Sequence, residues 1–346
     1  MLSTTTRIPA PALFLVAAAL LSDAFPGLAL SINTVEWIAT VALVVILFDG
    51  GASIGVPRFR AAVWPIALLG TVGTFATAGL VTLFAHWAFG WSWLLAGLLG
   101  AAVAPTDPAV MFSVLGGREV GGRTKTILEG ESGANDPVGI ALMLGLLQLA
   151  THPDATFWIV VRTFVEQMAI GLAFGVIGGL LLRRVPHGKL LGAGAIYALA
   201  AVAHGSGFIA VFVAGVLVND PRPRIQERVS AAAEVVVFVA LGVTVAITSL
   251  PAARWLDGLA VAAFVALVAR PVSVWPLLRL PVGERLIVVW GGLKGAVPIL
   301  LASFAVAKHV HGAQRLYELV FVVVLASVLV QGSTLPAVMP RDERSA

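Results

Sequence analysis

The sequence predicts an all-α fold: a polytopic membrane helical bundle with an inverted internal repeat and two broken helices that cross. The prediction rests on an apolar composition that no soluble fold uses, a one-sided placement of basic residues, and a pair of apolar stretches interrupted by glycine and proline. Hydrophobic residues make up 59% of the 346 and charged residues 12%, against about a quarter charged in an average soluble domain. Mean hydropathy is +0.98. A hydrocarbon core about 30 Å thick takes roughly 20 apolar residues per helix, so a chain of this length with short loops crosses about twelve times. The sequence has no cysteine, which excludes disulfides, thiolate metal sites and a cysteine nucleophile.

Apolar runs between charged or Pro/Gly-rich breaks place spans at 8–24, 34–51, 62–86, 92–115, 127–150, 157–182, 189–204, 206–219, 231–250, 255–278, 285–307 and 316–338. Residues 1–340 then form one transmembrane unit and 341–346 a short cytoplasmic tail. Met1 to Arg7 is short and polar and is followed by no clear small-residue cleavage site. The first apolar helix therefore reads as retained, not as a signal peptide. With the N-terminus in the cytoplasm, the basic residues at 58, 60, 118, 123, 125, 183, 184, 189, 222, 224, 228, 279 and 285 fall in cytoplasmic segments. The opposite side holds only Arg254, Lys308 and Arg315. This asymmetry puts both termini in the cytoplasm. It also accounts for the net charge of +4 without a nucleic-acid partner.

The fourth span is interrupted at Ala104-Pro105-Thr106-Asp107-Pro108, and the eleventh at Gly291-Gly292-Leu293-Lys294-Gly295-Ala296-Val297-Pro298. An odd offset separates the two spans, so they cross the bilayer in opposite directions. Interrupted helices in corresponding places of two halves point to an inverted repeat with its site near the midplane. Spans 3–5 should correspond to spans 10–12.

An Asp at the centre of a span costs about 2.5–3.5 kcal/mol on insertion scales, so intramembrane acids are candidates for function. Asp107 lies between two prolines. Glu131 and Asp136 lie in Gly130-Glu131-Ser132-Gly133-Ala134-Asn135-Asp136-Pro137, and Asp49 ends the second span in Phe48-Asp49-Gly50-Gly51. On a helix, Ser132 and Asp136 are i,i+4 neighbours and share a face with Asn135. Hydroxyl, amide and carboxylate oxygens can then converge, and main-chain carbonyls are freed where Pro105 and Pro108 break the fourth span. Oxygen ligands of this kind hold hard monovalent cations. Desolvation penalises a charged carboxylate, so Asp136 takes a proton or a cation but hardly both, which is the minimal machinery of an antiporter. Arg270 and Lys294 are the matching buried cations. Either can neutralise Asp107 or Glu131, with Lys294 and Asp107 favoured to offset the dipoles of the half-helices.

In these residues the chain resembles the monovalent cation:proton antiporter superfamily, in its branch of NhaP-like sodium or potassium/proton exchangers. The resemblance runs through Phe48-Asp49-Gly50-Gly51, Pro105 to Pro108, Gly130 to Pro137, Gly205-Ser206-Gly207-Phe208-Ile209-Ala210 and Gly291 to Pro298, in that order. It implies an inverted-repeat antiporter fold that exchanges K⁺ or Na⁺ for H⁺, with K⁺ slightly favoured by the pattern around Asn135-Asp136. It also implies that Asp136 binds cation and proton, that Asn135 supports it, and that Glu131 and Ser132 belong to the same motif. Thr106 supplies a main-chain or side-chain oxygen, and Asp49 is a gate or ligand. A homodimer in the cell inner membrane, without any cofactor, is implied as well. Members commonly carry Arg where this chain has Lys294, and only Arg offers a planar fork.

Plainer readings stand beside these. Asp107 can serve chiefly as a cap on the second half-helix. Asp49 and Glu234 fall near expected span ends, where an interfacial acid is cheap, and Arg162 with Glu166 reads as an i,i+4 pair. His204 reads as a loop-end residue, and Trp91 and Trp93 as interfacial anchors. A passive cation channel would also line a pore with acids, but no repeated filter sequence is present. An intramembrane hydrolase would need Asp107 and Asp136 as an aspartic pair, and neither lies in such a motif.

Overall fold

The computed structural model describes residues 10–115, 120–152, 154–218 and 223–339; the 341–346 tail lies outside them. Among the described residues all regular structure is helical. In chain order the helices are α1 Ala10–Ala24, α2 Ile32–Ala61, α3 Val63–Phe89, α4 Trp93–Val103, α5 Pro108–Leu115, α6 Gly122–Thr151 and α7 Phe157–Leu182. There follow α8 Lys189–Val202, α9 Gly207–Val218, α10 Pro223–Gly242, α11 Ala252–Leu277, α12 Val282–Trp290, α13 Ala296–Ala307 and α14 Ala313–Val338. Six of them, α2, α3, α6, α7, α11 and α14, are long and apolar enough to cross a membrane. Trp37, Trp64, Trp87, Trp158 and Leu191 are each at least 70% exposed on the outside, as expected of side chains that face lipid and not water.

Both expected interruptions are present. α4 stops at Val103 and α5 starts at Pro108, which as a first helical residue gives up no hydrogen bond. α12 stops at Trp290 and α13 starts at Ala296. The two breaks cross: the Asp107 amide donates to Leu293 O at 2.8 Å, and Lys294 Nζ donates to the carbonyls of Ala104 and Pro105 at 3.0 and 2.9 Å. The approach is close enough that a Cβ on Gly295 would lie 1.8 Å from Asp107 Oδ2. Long helix, broken helix, long helix occurs as α3, α4/α5, α6 and again as α11, α12/α13, α14, which is the inverted repeat.

Two expectations about helix limits are corrected. The second span does not end at Asp49. α2 continues through Gly50 and Gly51 and bends only at Gly55, whose φ of 65° lies outside the helical region. Gly51 serves packing: a Cβ there would lie 2.3 Å from Phe212 O, and one on Gly215 would lie 2.4 Å from Phe48 O, so α2 and α9 cross backbone to backbone. The ninth span covers Pro223–Gly242 and not 231–250, because Pro223 suits a helix start and the apolar residues after Gly242 leave the helix in turns and a 3₁₀ segment. Trp91, expected as an interfacial anchor, is 4% exposed and packs under Arg315. Arg162 and Glu166 do pair, at 2.7 Å.

Candidate ion-binding site

α6 carries the site. Glu131, Ser132, Asn135 and Asp136 are all buried on it, at 1%, 5%, 1% and 6% exposure. Two of them, Ser132 and Asn135, meet the first break. Ser132 Oγ donates to Thr106 O at 2.5 Å, and Asn135 Nδ2 donates to Thr106 Oγ1 at 2.8 Å. The Thr106 amide approaches Asn135 Oδ1 at 3.4 Å. Asn135 was expected to add an oxygen to the convergent set. Its amide is instead occupied on both sides by Thr106, so it fixes the unwound segment against α6.

Glu131 lies on another side of the helix. Arg270 Nη1 donates to its Oε1, and Nη2 donates to Oε2 at 2.9 Å and to Val288 O at 3.1 Å. Arg270 follows a π-helical stretch at Val265–Ala269, a local widening that is frequent near functional residues. The pair is two-pronged and dry, a geometry in which Arg is favoured. Arg270 therefore pairs with Glu131, one of the two options open from sequence. The Lys294 ammonium, wholly buried, goes to the carbonyls that end α4 and not to Asp107. There it offsets the partial negative charge at the C-terminus of that half-helix. A second π-helical stretch, Ser327–Gln331 in α14, supplies Ser327 Oγ to the Lys294 amide at 3.0 Å.

Asp107 caps α5, its Oδ1 lying 3.4 Å from the Val110 amide, as the plainer reading expected. It also faces a chamber of about 160 Å³ whose wall includes Asp49, Ser132, Asp136 and Glu234. Asp136 is the acid deepest in the α6 wall, and its Oδ1 is buried with no hydrogen-bond partner among the described residues. Asp49 reaches the chamber because α2 is continuous past it. Thr106 stays behind Ser132, joined to it through its carbonyl. Among the described residues no three or more His, Cys, Asp or Glu side chains gather closely enough to hold a metal ion; the acids stand around a space.

Sequence reasoning missed Glu129 and misplaced Glu234, both of which line the chamber. Glu129, Ser132 and Asp136 follow i, i+3, i+7 spacing, so helical periodicity carried one turn back from Ser132 reaches Glu129. Glu234 read as interfacial because the ninth span was started at 231; with the helix beginning at Pro223 it lies mid-span. His204 is at the turn after α8, as expected of a loop-end residue.

Fold and site together define a class: an inverted-repeat membrane bundle in which two broken helices cross beside an acid-lined chamber. The profile of the family described as "Sodium/hydrogen exchanger, transmembrane" matches residues 1–341, and the chain belongs to that family. It is 33% identical over 359 residues to the K(+)/H(+) antiporter NhaP2 of Shewanella sp. strain ANA-3, covering 96% of this chain and 62% of that protein. It is 28% identical to the Na(+)/H(+) antiporter NhaP of Pseudomonas aeruginosa PAO1, covering 88% of this chain and 81% of that one. The chain thus spans less than two thirds of the length of the NhaP2 relative. In fold it resembles the sodium proton antiporter MjNhaP1 from Methanocaldococcus jannaschii, with a TM-score of 0.80 at 20% identity over 94% of this chain and 93% of that one.

Proposed function

We propose that the chain is a secondary-active antiporter that exchanges a monovalent cation, K⁺ or Na⁺, for H⁺ by competition at Asp136. The observation that carries this reading is the contrast in neutralisation around one site. Glu131 has a two-pronged Arg270, and Lys294 has two carbonyls, whereas Asp136 keeps a buried oxygen without a partner beside a chamber. A buried carboxylate in that condition is stabilised by a proton or by a cation. Ser132, Asp107 and Asp49 line the same chamber and offer further oxygens, with the Thr106 segment behind Ser132.

One carboxylate that takes one proton or one monovalent cation gives electroneutral one-for-one exchange. The relatives named for K⁺ favour K⁺ over Na⁺ as the cation. The chain acts in the bilayer of the cell inner membrane, with both termini cytoplasmic and, by family resemblance, as a homodimer. The test is exchange in proteoliposomes given K⁺, Na⁺ and Li⁺ in turn, read with an internal pH dye. Dissipation of an imposed proton gradient only on cation addition is expected. Silence with all three cations overturns the reading, and cation flux without proton counterflow marks a channel. Repeating the assay under a clamped membrane potential should leave the rate unchanged; a rate that tracks voltage rules out one-for-one exchange.

A further inference from the structure

Glu234 takes no part in the scheme above, yet it shares the chamber with Asp136. Ser230, Glu234, Val237 and Phe238 follow i, i+4, i+7, i+8 spacing on α10, and all four line that space. Past Glu234 the face turns apolar, Val237 being 1% and Phe238 0% exposed. Glu234 is therefore the last polar group on this wall. Its Oε1 is buried and finds no hydrogen-bond partner among the described residues. Asp136, 6% exposed, presents a second partnerless oxygen to the same space.

The charged groups that share the chamber with Glu234 are Asp49 from α2, Asp107 from the break before α5, and Glu129 and Asp136 from α6. No Lys or Arg among the described residues lines it. Of the cations nearby, Arg270 is engaged on Glu131 and Lys294 on the carbonyls of Ala104 and Pro105, while Lys125 pairs with Glu129 at 3.8 Å and leaves Glu234 to the chamber. A cleft lined by charge of one sign, with low-dielectric walls, concentrates the counter-ion. We propose that Glu234 is an affinity-determining residue of the cation pathway: its carboxylate holds the entering monovalent cation against the α10 wall, across the chamber from Asp136. The proposal rests on the exchange reading. It assigns Glu234 no part in the competition at Asp136 itself, so turnover at saturating cation does not depend on it.

The test compares wild type, Glu234→Gln and Glu234→Asp as full chains in proteoliposomes, with K⁺ and then Na⁺ titrated at about pH 8. Loss of one charge facing the cation across a few ångströms of partly screened space should raise the apparent KM about three- to tenfold in Glu234→Gln. The maximal rate should stay within about twofold of wild type, and Glu234→Asp, which keeps the charge, should return KM to near the wild-type value. A purely structural role would lower the maximal rate and leave KM alone. That pattern, or a Glu234→Gln variant with unchanged KM for both cations, overturns the proposal. Should Glu234→Gln not be recovered folded, Ser230→Lys puts a positive charge one turn away on the same face. It must raise KM as well, and an unchanged KM there is equally fatal. A wild-type chain silent with every cation sinks the exchange reading and this assignment together, whereas an active wild type with an indifferent Glu234→Gln sinks this assignment alone.

Discussion

Glu131 and Asp136 are carried by the same helix five residues apart, both nearly inaccessible, and they meet opposite surroundings. At about 100° per residue they point to different sides of α6. Glu131 faces α11, where Arg270 grips both its oxygens; Asp136 faces the chamber and keeps one oxygen unsatisfied. Whether a buried acid is neutralised is thus set by what its side of the helix meets, and not by its depth. The paired acid locks α6 of one repeat to α11 of the other, and the second presents an unsatisfied oxygen to the chamber.

The strongest way to break this comparison is to neutralise Asp136. Asp136→Asn should abolish cation-dependent proton exchange in proteoliposomes while the melting temperature in detergent stays at or above that of wild type, because a partnerless buried charge is removed. Residual exchange above about a tenth of the wild-type rate would show that another acid carries the proton. The mirror experiment is Glu131→Gln, which leaves Arg270 buried without its carboxylate. A loss of roughly 3–5 kcal/mol is expected, read as a drop in thermal or denaturant midpoint. The double variant Glu131→Gln with Arg270→Gln should recover part of that loss, and strict additivity would show that the pair is not the unit.

Lys294 sharpens the comparison from the side of the broken helices. Lys294→Met strips the donor from the carbonyls of Ala104 and Pro105, and each orphaned buried carbonyl costs about 1–3 kcal/mol. Part of that is offset by removing a buried ammonium, so a smaller fall in melting temperature than in Glu131→Gln is expected. An unchanged or raised midpoint would mean that the ammonium does not hold the crossing together. The smallest expected effect is at Ser132→Ala, which removes the hydroxyl donor to Thr106 O. A two- to fivefold rise in apparent cation KM follows if the loss is about 0.5–1 kcal/mol; the titration of exchange rate against K⁺ or Na⁺ decides it.

Much of this is legible in the sequence. Pro105, Pro108 and the glycines at 291, 292 and 295 announce both breaks, because proline lacks the amide that a helix needs and glycine admits close backbone approach. Asp136 with Ser132 could be found from i,i+4 spacing alone. The continuity of α2 through Asp49 could not. Gly50-Gly51 after an acid looks like a span end, and only the crossing with Gly215 explains why a helix tolerates it there. The placement of Glu234 failed for a related reason. Hydropathy locates apolar runs, whereas the limits of α10 are set by Pro223 and by the turn after Gly242.

By itself the sequence determined the membrane bundle and its two interruptions, and it put Ser132 and Asp136 on one face of a helix. Each of these follows from short-range chemistry: apolar run length, missing amides, and neighbours three or four residues apart. Which cation answers which acid was decided only by tertiary structure. Arg270 is 139 residues from Glu131 along the chain, and Lys294 is 190 from the carbonyl of Ala104. In a low-dielectric interior a charge is stabilised by the group that stands a few ångströms away, whatever its position in the sequence. That proximity is created when the two repeats pack against each other and their broken helices cross.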